Sequence, residues 1–229
     1  MSSRAIAESK QITVRGKVAL QGDLVIPEGA SAIVVFAHGS GSSRFSPRNR
    51  AVARTLNEGG LATLLMDLLT MDEQQVDEHT GQLRFDIPFL ARRVADALDW
   101  LSTQEQTRRL RIGLFGASTG AAAALVAAAE RPALVAAVVS RGGRPDLASE
   151  HLPNVKAPVL LIVGGDDVPV IGMNREASRL LRCENHIEIV PGASHLFEEP
   201  GTLEKVAELA RDWFNKHIGK AEGEKKAEG

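Results

Sequence analysis

The sequence contains a single cysteine, Cys183, so no disulfide can form within the chain, and a reducing compartment suits it. It has no apolar run approaching the ~18 residues that a membrane-spanning helix requires. It has no excess of charge of either sign: 27 Lys and Arg against 29 Asp and Glu leave a formal net charge of −2. That balance gives no electrostatic case for nucleic acid. Met1 to Lys10 lack the apolar core of a signal peptide, so the expected location is cytoplasmic. Two phosphate-binding signatures are missing as well. Gly39-Ser40-Gly41-Ser42-Ser43-Arg44 lacks the third glycine of a dinucleotide fingerprint, and no Gly-Lys-Ser/Thr ending marks a phosphate loop. No histidine pair has metal-ligand spacing, and neither a metal nor an organic cofactor is expected.

What is present is a regular alternation of strand and helix signals. Gln11 to Ile26 alternates apolar and polar residues and reads as an N-terminal antiparallel hairpin. Ala32 to Ala37 is continuously apolar, as expected for a strand covered on both faces. Further strands are expected at Leu61–Met66, Leu110–Phe115, Val135–Val139, Val159–Val163 and His186–Val190. Helices are expected over 47–59, 89–101, 118–130, 172–183 and 201–217. Residues 67–84 are polar and acidic without clear periodicity and read as an excursion. Such alternation implies a mostly parallel twisted sheet with right-handed crossovers and helices on both faces. Neither an internal repeat nor a linker divides the chain. With a hydrophobic share of 44%, one domain is expected over 11–218, between a flexible N-terminus (1–10) and a disordered tail (219–229).

The most informative stretch is Gly116-Ala117-Ser118-Thr119-Gly120, set between an apolar strand and an alanine-rich helix. A Gly-x-Ser-x-Gly in that context is a nucleophile elbow: the serine takes a strained conformation, and its neighbours must be small. A serine nucleophile needs an imidazole to take its proton and a carboxylate to hold that imidazole's tautomer. Both follow in the chain order Ser, Asp, His that this architecture uses. Gly164-Gly165-Asp166-Asp167 closes one strand, and Pro191-Gly192-Ala193-Ser194-His195 follows the last. Ser118 is thus the expected nucleophile and His195 the general base. Of the two adjacent carboxylates, Asp166 and Asp167, only one is expected to reach His195, because successive side chains point in different directions. Two backbone N–H groups are expected to receive the developing oxyanion. One belongs to Thr119, at the start of its helix, and the other to Ser40, on the loop after His38.

These pieces together resemble the α/β-hydrolase superfamily, and within it the dienelactone-hydrolase-like branch. The matching segments are Phe36-Ala37-His38-Gly39-Ser40-Gly41, the elbow, Gly164-x-x-Asp167 and Gly192-Ala193-Ser194-His195-Leu196-Phe197, across roughly residues 31 to 215. The resemblance implies an α/β-hydrolase fold with little or no lid, acyl-transfer chemistry on a small-molecule substrate, and a monomer or homodimer; the spacing usual in these enzymes, glycine, two residues, aspartate, selects Asp167 as the acid. One departure matters: the name-giving dienelactone hydrolases use cysteine as nucleophile, whereas position 118 is serine, which points to ordinary ester chemistry. A thioesterase, lactonase or peptidase would use the same triad, and a non-catalytic binding module on this fold would need none of it.

Among the other residues, His38 reads as a brace for the oxyanion loop, and His79, His151, His186 and His217 as solvated. Arg44, Arg48, Arg141 and Arg144 could face the cleft and bind an anionic group on the substrate. The competing reading pairs them with Asp86, Asp146 or Glu150. Trp100 and Trp213 read as packing residues, and Cys183, late in a helix, as inert. The connection from Ser140 to Pro158 is too short for a full lid. The cleft is therefore expected to be open and to favour short acyl chains.

Overall fold

The computed structural model describes residues 10–219; apart from Lys10 and Gly219, the expected flexible start and disordered tail lie outside the described residues. The chain begins with the expected hairpin, β1 (Lys10–Arg15) paired antiparallel to β2 (Ala19–Val25). Then come β3 (Ala32–Ala37), α1 (Pro47–Glu58), β4 (Ala62–Met66), α2 (Met71–Thr80) and α3 (Ile87–Thr103). The second half repeats the alternation: β5 (Arg111–Ala117), α4 (Thr119–Glu130), β6 (Val135–Arg141), β7 (Val159–Gly164), α5 (Val168–Leu180), β8 (Asn185–Val190) and α6 (Thr202–Ile218).

The strands form one sheet in the order β1-β2-β4-β3-β5-β6-β7-β8, antiparallel at β1/β2 and β2/β4 and parallel elsewhere. Successive strand side chains face opposite ways, and β3 shows the consequence. Ile33, Val35 and Ala37 join the apolar layer under α3 and α4, while Ala32, Val34 and Phe36 join the layer under α1 and α6. Both faces of the central strands are covered, which is why they read as unbroken apolar runs. Strands β4 and β5 flank β3, so the chain reverses its direction of travel across the sheet there. Open α/β sheets place their ligands outside the carboxyl ends of the strands at such a switch point.

Helix α4 carries the elbow serine at its head. Ten of its residues, Thr119 to Ala128, are buried, which only a helix of small side chains allows between a strand and two neighbouring layers. The small residues begin in the turn itself. A Cβ at Gly116 would lie 2.4 Å from Ala121 Cα, and one at Gly120 would lie 2.2 Å from the Ala37 carbonyl oxygen.

Three expectations need correction. Residues 71–80 are helical, with Thr70 and Glu73 forming a reciprocal capping box and Gly81 closing the helix in the left-handed conformation. Periodicity missed this helix because its one buried residue is an acid, Asp77; the Thr-x-x-Glu spacing and the glycine were the available signals. Helix α5 starts at Val168, ahead of the expected 172, with a proline in its first turn, and ends at Leu180. Cys183 therefore lies on the connection to β8; burial pushes its thiol pKa up. His217 is not solvated: its ring packs 4.4 Å from that of Trp213, and burial lowers its pKa.

Candidate active site

Backbone geometry singles out Ser118 first. It sits between β5 and α4 with φ +50° and ψ −121°, a conformation that a residue with a side chain adopts only when the surroundings enforce it. Its N–H donates to the Arg141 carbonyl at the end of β6, and its carbonyl accepts from Arg144 N–H. The elbow is thereby pinned to the neighbouring strand.

The loops after β7 and β8 bring Asp167 and His195 together. His195 Nδ1 and Asp167 Oδ2 are 2.6 Å apart, and Asp167 is mostly buried while Asp166 is exposed. Asp167 occupies the N-cap position of α5, where an aspartate would ordinarily accept a hydrogen bond from the first turn. Here no such bond forms, because the carboxylate is turned toward the imidazole. His195 in turn lies against the loop that follows β6: a Cβ at Gly142 would be 3.0 Å from the His195 carbonyl and 3.6 Å from its ring. The loops bearing Ser118, Asp167 and His195 therefore meet around the ends of β5, β6 and β7. No hydrogen bond joins the Ser118 hydroxyl to His195 among the described residues. Such contacts are often long before substrate arrives.

The loop after β3 is held by His38. Its Nε2 accepts from Leu68 N–H at 3.2 Å, which places the proton on Nδ1, and Nδ1 donates to the Gly39 carbonyl at 2.9 Å. The imidazole thus ties the loop to the end of β4 in its neutral form. Burial holds its pKa below the usual 6.5, against the opposing pull of Gly39 and Asp67. An unfolded chain takes up this proton near 6.5 whereas the folded protein resists it, so the fold loses stability as the pH falls below that value. Urea unfolding at descending pH is expected to show this loss. It should be shallower in His38→Gln, whose side chain does not titrate; equal slopes would remove His38 as the cause.

Ser40 and Thr119, expected as the two oxyanion donors, are in direct contact. The Ser40 N–H donates to Thr119 Oγ1 at 2.9 Å. That donor is therefore engaged by a side chain, a contact that sequence spacing does not reveal.

The four arginines behave differently from one another. Arg44, expected to bind substrate, is committed to acids: its backbone and guanidinium both donate to Asp67, and Asp23 lies 3.5 Å away. Arg48 pairs with Glu198 at 3.0 Å and Arg144 chelates Asp146, while Asp86 caps α3 instead. Arg141, also expected to bind substrate, is 6% exposed and forms no ion pair among the described residues. Its nearest partner is Asn49 Oδ1 at 3.4 Å, and its guanidinium lies 5.9 Å from the Phe197 ring. Burial, with Arg48 nearby, pushes its pKa down to about 10.

A cavity of about 200 Å³ opens between the loop after β3 and α2. His38, Ser40, Ser42, Asp67, Gln74 and Arg84 are among its lining residues. Its outer wall is fastened by Asp77, which accepts from Leu83 and Arg84 N–H groups and from Arg84 Nε at 2.6 Å. Burial alone would raise the pKa of Asp77, but Arg84 and those N–H groups hold it below the ordinary carboxylate range. Among the described residues no cluster of His, Cys, Asp or Glu could hold a metal ion, and no helix is long and apolar enough to cross a membrane.

Comparison with known proteins agrees with this architecture. The dienelactone hydrolase family model matches residues 20–218. The crystal structure of dienelactone hydrolase from Anabaena variabilis superposes with a TM-score of 0.92 at 58% identity, over 93% of this chain and 100% of that one. A Mycobacterium tuberculosis protein named as a proposed phosphoribosyl transferase is 55% identical over 205 residues, 90% of this chain but 45% of that protein. The chain thus spans less than half the length of that curated relative. An esterase from Pyrococcus furiosus shares the fold, with a TM-score of 0.73 at 17% identity over 93% of this chain and 92% of that one.

Proposed function

The chain belongs to the dienelactone hydrolase family, and from that premise we propose that it is a serine esterase that cleaves small carboxylic esters through an acyl-enzyme. The observation that carries this reading is the 2.6 Å bond between His195 Nδ1 and Asp167 Oδ2, which leaves Nε2 as the imidazole nitrogen free to act as a base. Ser118 Oγ attacks the ester carbonyl and passes its proton to Nε2, while the carbonyl electron pair moves to the oxygen. Collapse of the tetrahedral intermediate breaks the bond to the alcohol, which leaves with the proton from Nε2. Water then attacks the acyl-enzyme, gives a proton to Nε2 and releases the acid, and Ser118 recovers its hydrogen. The oxyanion develops at the N-terminus of α4, where the helix dipole and the Thr119 N–H favour negative charge.

The connection from β6 to β7, residues 142–158, is too short to form a full lid, and an open site of this kind supports a small substrate. Exposed apolar side chains stand beyond the carboxyl ends of the parallel strands: Phe45, Leu147 and Leu196 on the connections after β3, β6 and β8, and Val168 at the head of α5 after β7. Hydrolysis of p-nitrophenyl esters is expected to fall from acetate and butyrate to long chains; a preference for dodecanoate would overturn the small-substrate reading. The phosphoribosyl transferase name belongs to a protein of which this chain spans 45%, and the esterase reading concerns the matched part alone.

The direct test is labelling with a fluorophosphonate probe. Wild type is expected to label and to hydrolyse p-nitrophenyl acetate, and Ser118→Ala to do neither. A wild type that neither labels nor turns over would favour a binding module on this fold, and activity surviving in Ser118→Ala would move the nucleophile elsewhere.

A further inference from the structure

Thr119 is placed to do more than lend its backbone to the oxyanion. Its hydroxyl, on a residue only 4% exposed, accepts the Ser40 N–H at 2.9 Å. Threonines within helices of this chain donate their hydroxyl proton back along the helix, as Thr80 does to the Val76 carbonyl and Thr55 to the Ala51 carbonyl. Thr119 opens its helix, so the residue four positions earlier is Phe115, in β5, and no helical carbonyl is available to it. Among the described residues, the Thr119 hydroxyl has an assigned donor and no assigned acceptor. The Ser40 N–H, for its part, is aimed at Thr119 Oγ1 and not into open space.

We propose that the Thr119 hydroxyl is a catalytic hydrogen-bond donor to the oxyanion, polarised from behind by the Ser40 N–H. Thr119 then supplies two donors, its backbone N–H and its side chain, and Ser40 acts through it. The chain of bonds runs from Ser40 N–H to Thr119 Oγ1, and from the Thr119 hydroxyl to the substrate oxygen. A hydrogen bond accepted by a hydroxyl oxygen strengthens the bond that hydroxyl donates. No proton is transferred in this arrangement; charge is stabilised in place. The inference rests on Ser118 being the nucleophile.

The opposite arrangement is equally concrete. If Thr119 merely occupies the Ser40 N–H until substrate displaces it, removing the hydroxyl frees a donor and activity rises or stays the same. Thr119→Val preserves shape and deletes the hydroxyl, and Thr119→Ser keeps it. Loss of one oxyanion donor costs about 10²–10³ in kcat. Thr119→Val is expected to lose that much kcat with little change in KM, and Thr119→Ser to recover most of it. Affinity for a boronic acid, which mimics the tetrahedral intermediate, is expected to fall in parallel with kcat/KM in Thr119→Val. Affinity for the carboxylic acid product should hold. A purely structural role would weaken both ligands together. Kcat retained or raised in Thr119→Val overturns the proposal, as does parallel loss of both ligands. If the valine variant does not fold, Thr119→Ala is read by the same criteria. Fluorophosphonate labelling of the wild type at Ser118 separates the two failures. An unlabelled wild type removes the nucleophile assignment, whereas a labelled wild type beside an unimpaired Thr119→Val removes only the role of the hydroxyl.

Discussion

Asp167→Asn is expected to lower kcat on p-nitrophenyl acetate about 10⁴-fold, whereas Asp166→Asn leaves it nearly unchanged. The carboxylate at 167 only accepts hydrogen bonds, so it holds the proton on His195 Nδ1 and keeps Nε2 free for the base role proposed for it. A carboxamide can present its NH₂ to Nδ1 instead, which moves the imidazole proton to Nε2 and removes the base. The fold should notice little: Asp167 makes no side-chain capping bond to α5, so the variant loses no helix cap. Comparable unfolding midpoints for the two variants, with a large difference in turnover, would mark the effect as chemical. A loss carried by Asp166→Asn would show that the wrong member of the pair had been assigned.

Gly120→Ala is expected to destabilise the protein by more than ~4 kcal/mol, or to abolish soluble expression. Its Cβ would lie 2.2 Å from the Ala37 carbonyl oxygen and 2.4 Å from that of His38. Both obstacles are backbone atoms at the root of the loop after β3, so relief requires moving that loop away from the turn at Ser118. Gly172→Ala is the matching control. Gly172 is exposed within α5 and nothing lies within 4 Å of its Cβ position. Alanine there is expected to add about 0.5–1 kcal/mol by restricting the unfolded chain and favouring the helix. Urea unfolding of both variants checks the pair, and a wild-type midpoint for Gly120→Ala would mean that helix and loop are not packed as described.

The sheet and the order of the candidate triad were legible because each depends on a local pattern. Strands covered on both faces must be apolar throughout, and Ser118 and Asp167 each stand just beyond such a run, while His195 follows the alternating edge strand β8. The loop containing His38 was legible for the same reason, as the polar end of Ala32–Ala37. What escaped was held by contacts between segments far apart in the chain. Helix α2 has no apolar stripe because Arg84 fastens Asp77 from the following turn and Arg93 on α3 holds Glu73 at 2.5 Å. The acids that take Arg44, Asp67 and Asp23, lie at the end of β4 and within β2, and only the strand order brings them alongside the loop after β3. Thr119 was read through its N–H alone, because the approach of Ser40 to its side chain exists only once α4 is packed against β3.

Helix α2 therefore has a different relation to mutation from the rest of the fold. Its single buried side chain is Asp77, and its remaining positions sit outside the apolar layers that hold the sheet. Substitutions in α2 cost the core almost nothing, whereas in α4 nearly every position is closed by packing. Because Gln74 and Glu78 on α2 line the cavity beside the oxyanion loop, this is the wall that descendants of the chain can reshape first. Divergence in substrate choice can accumulate there while the helix headed by Ser118 stays frozen.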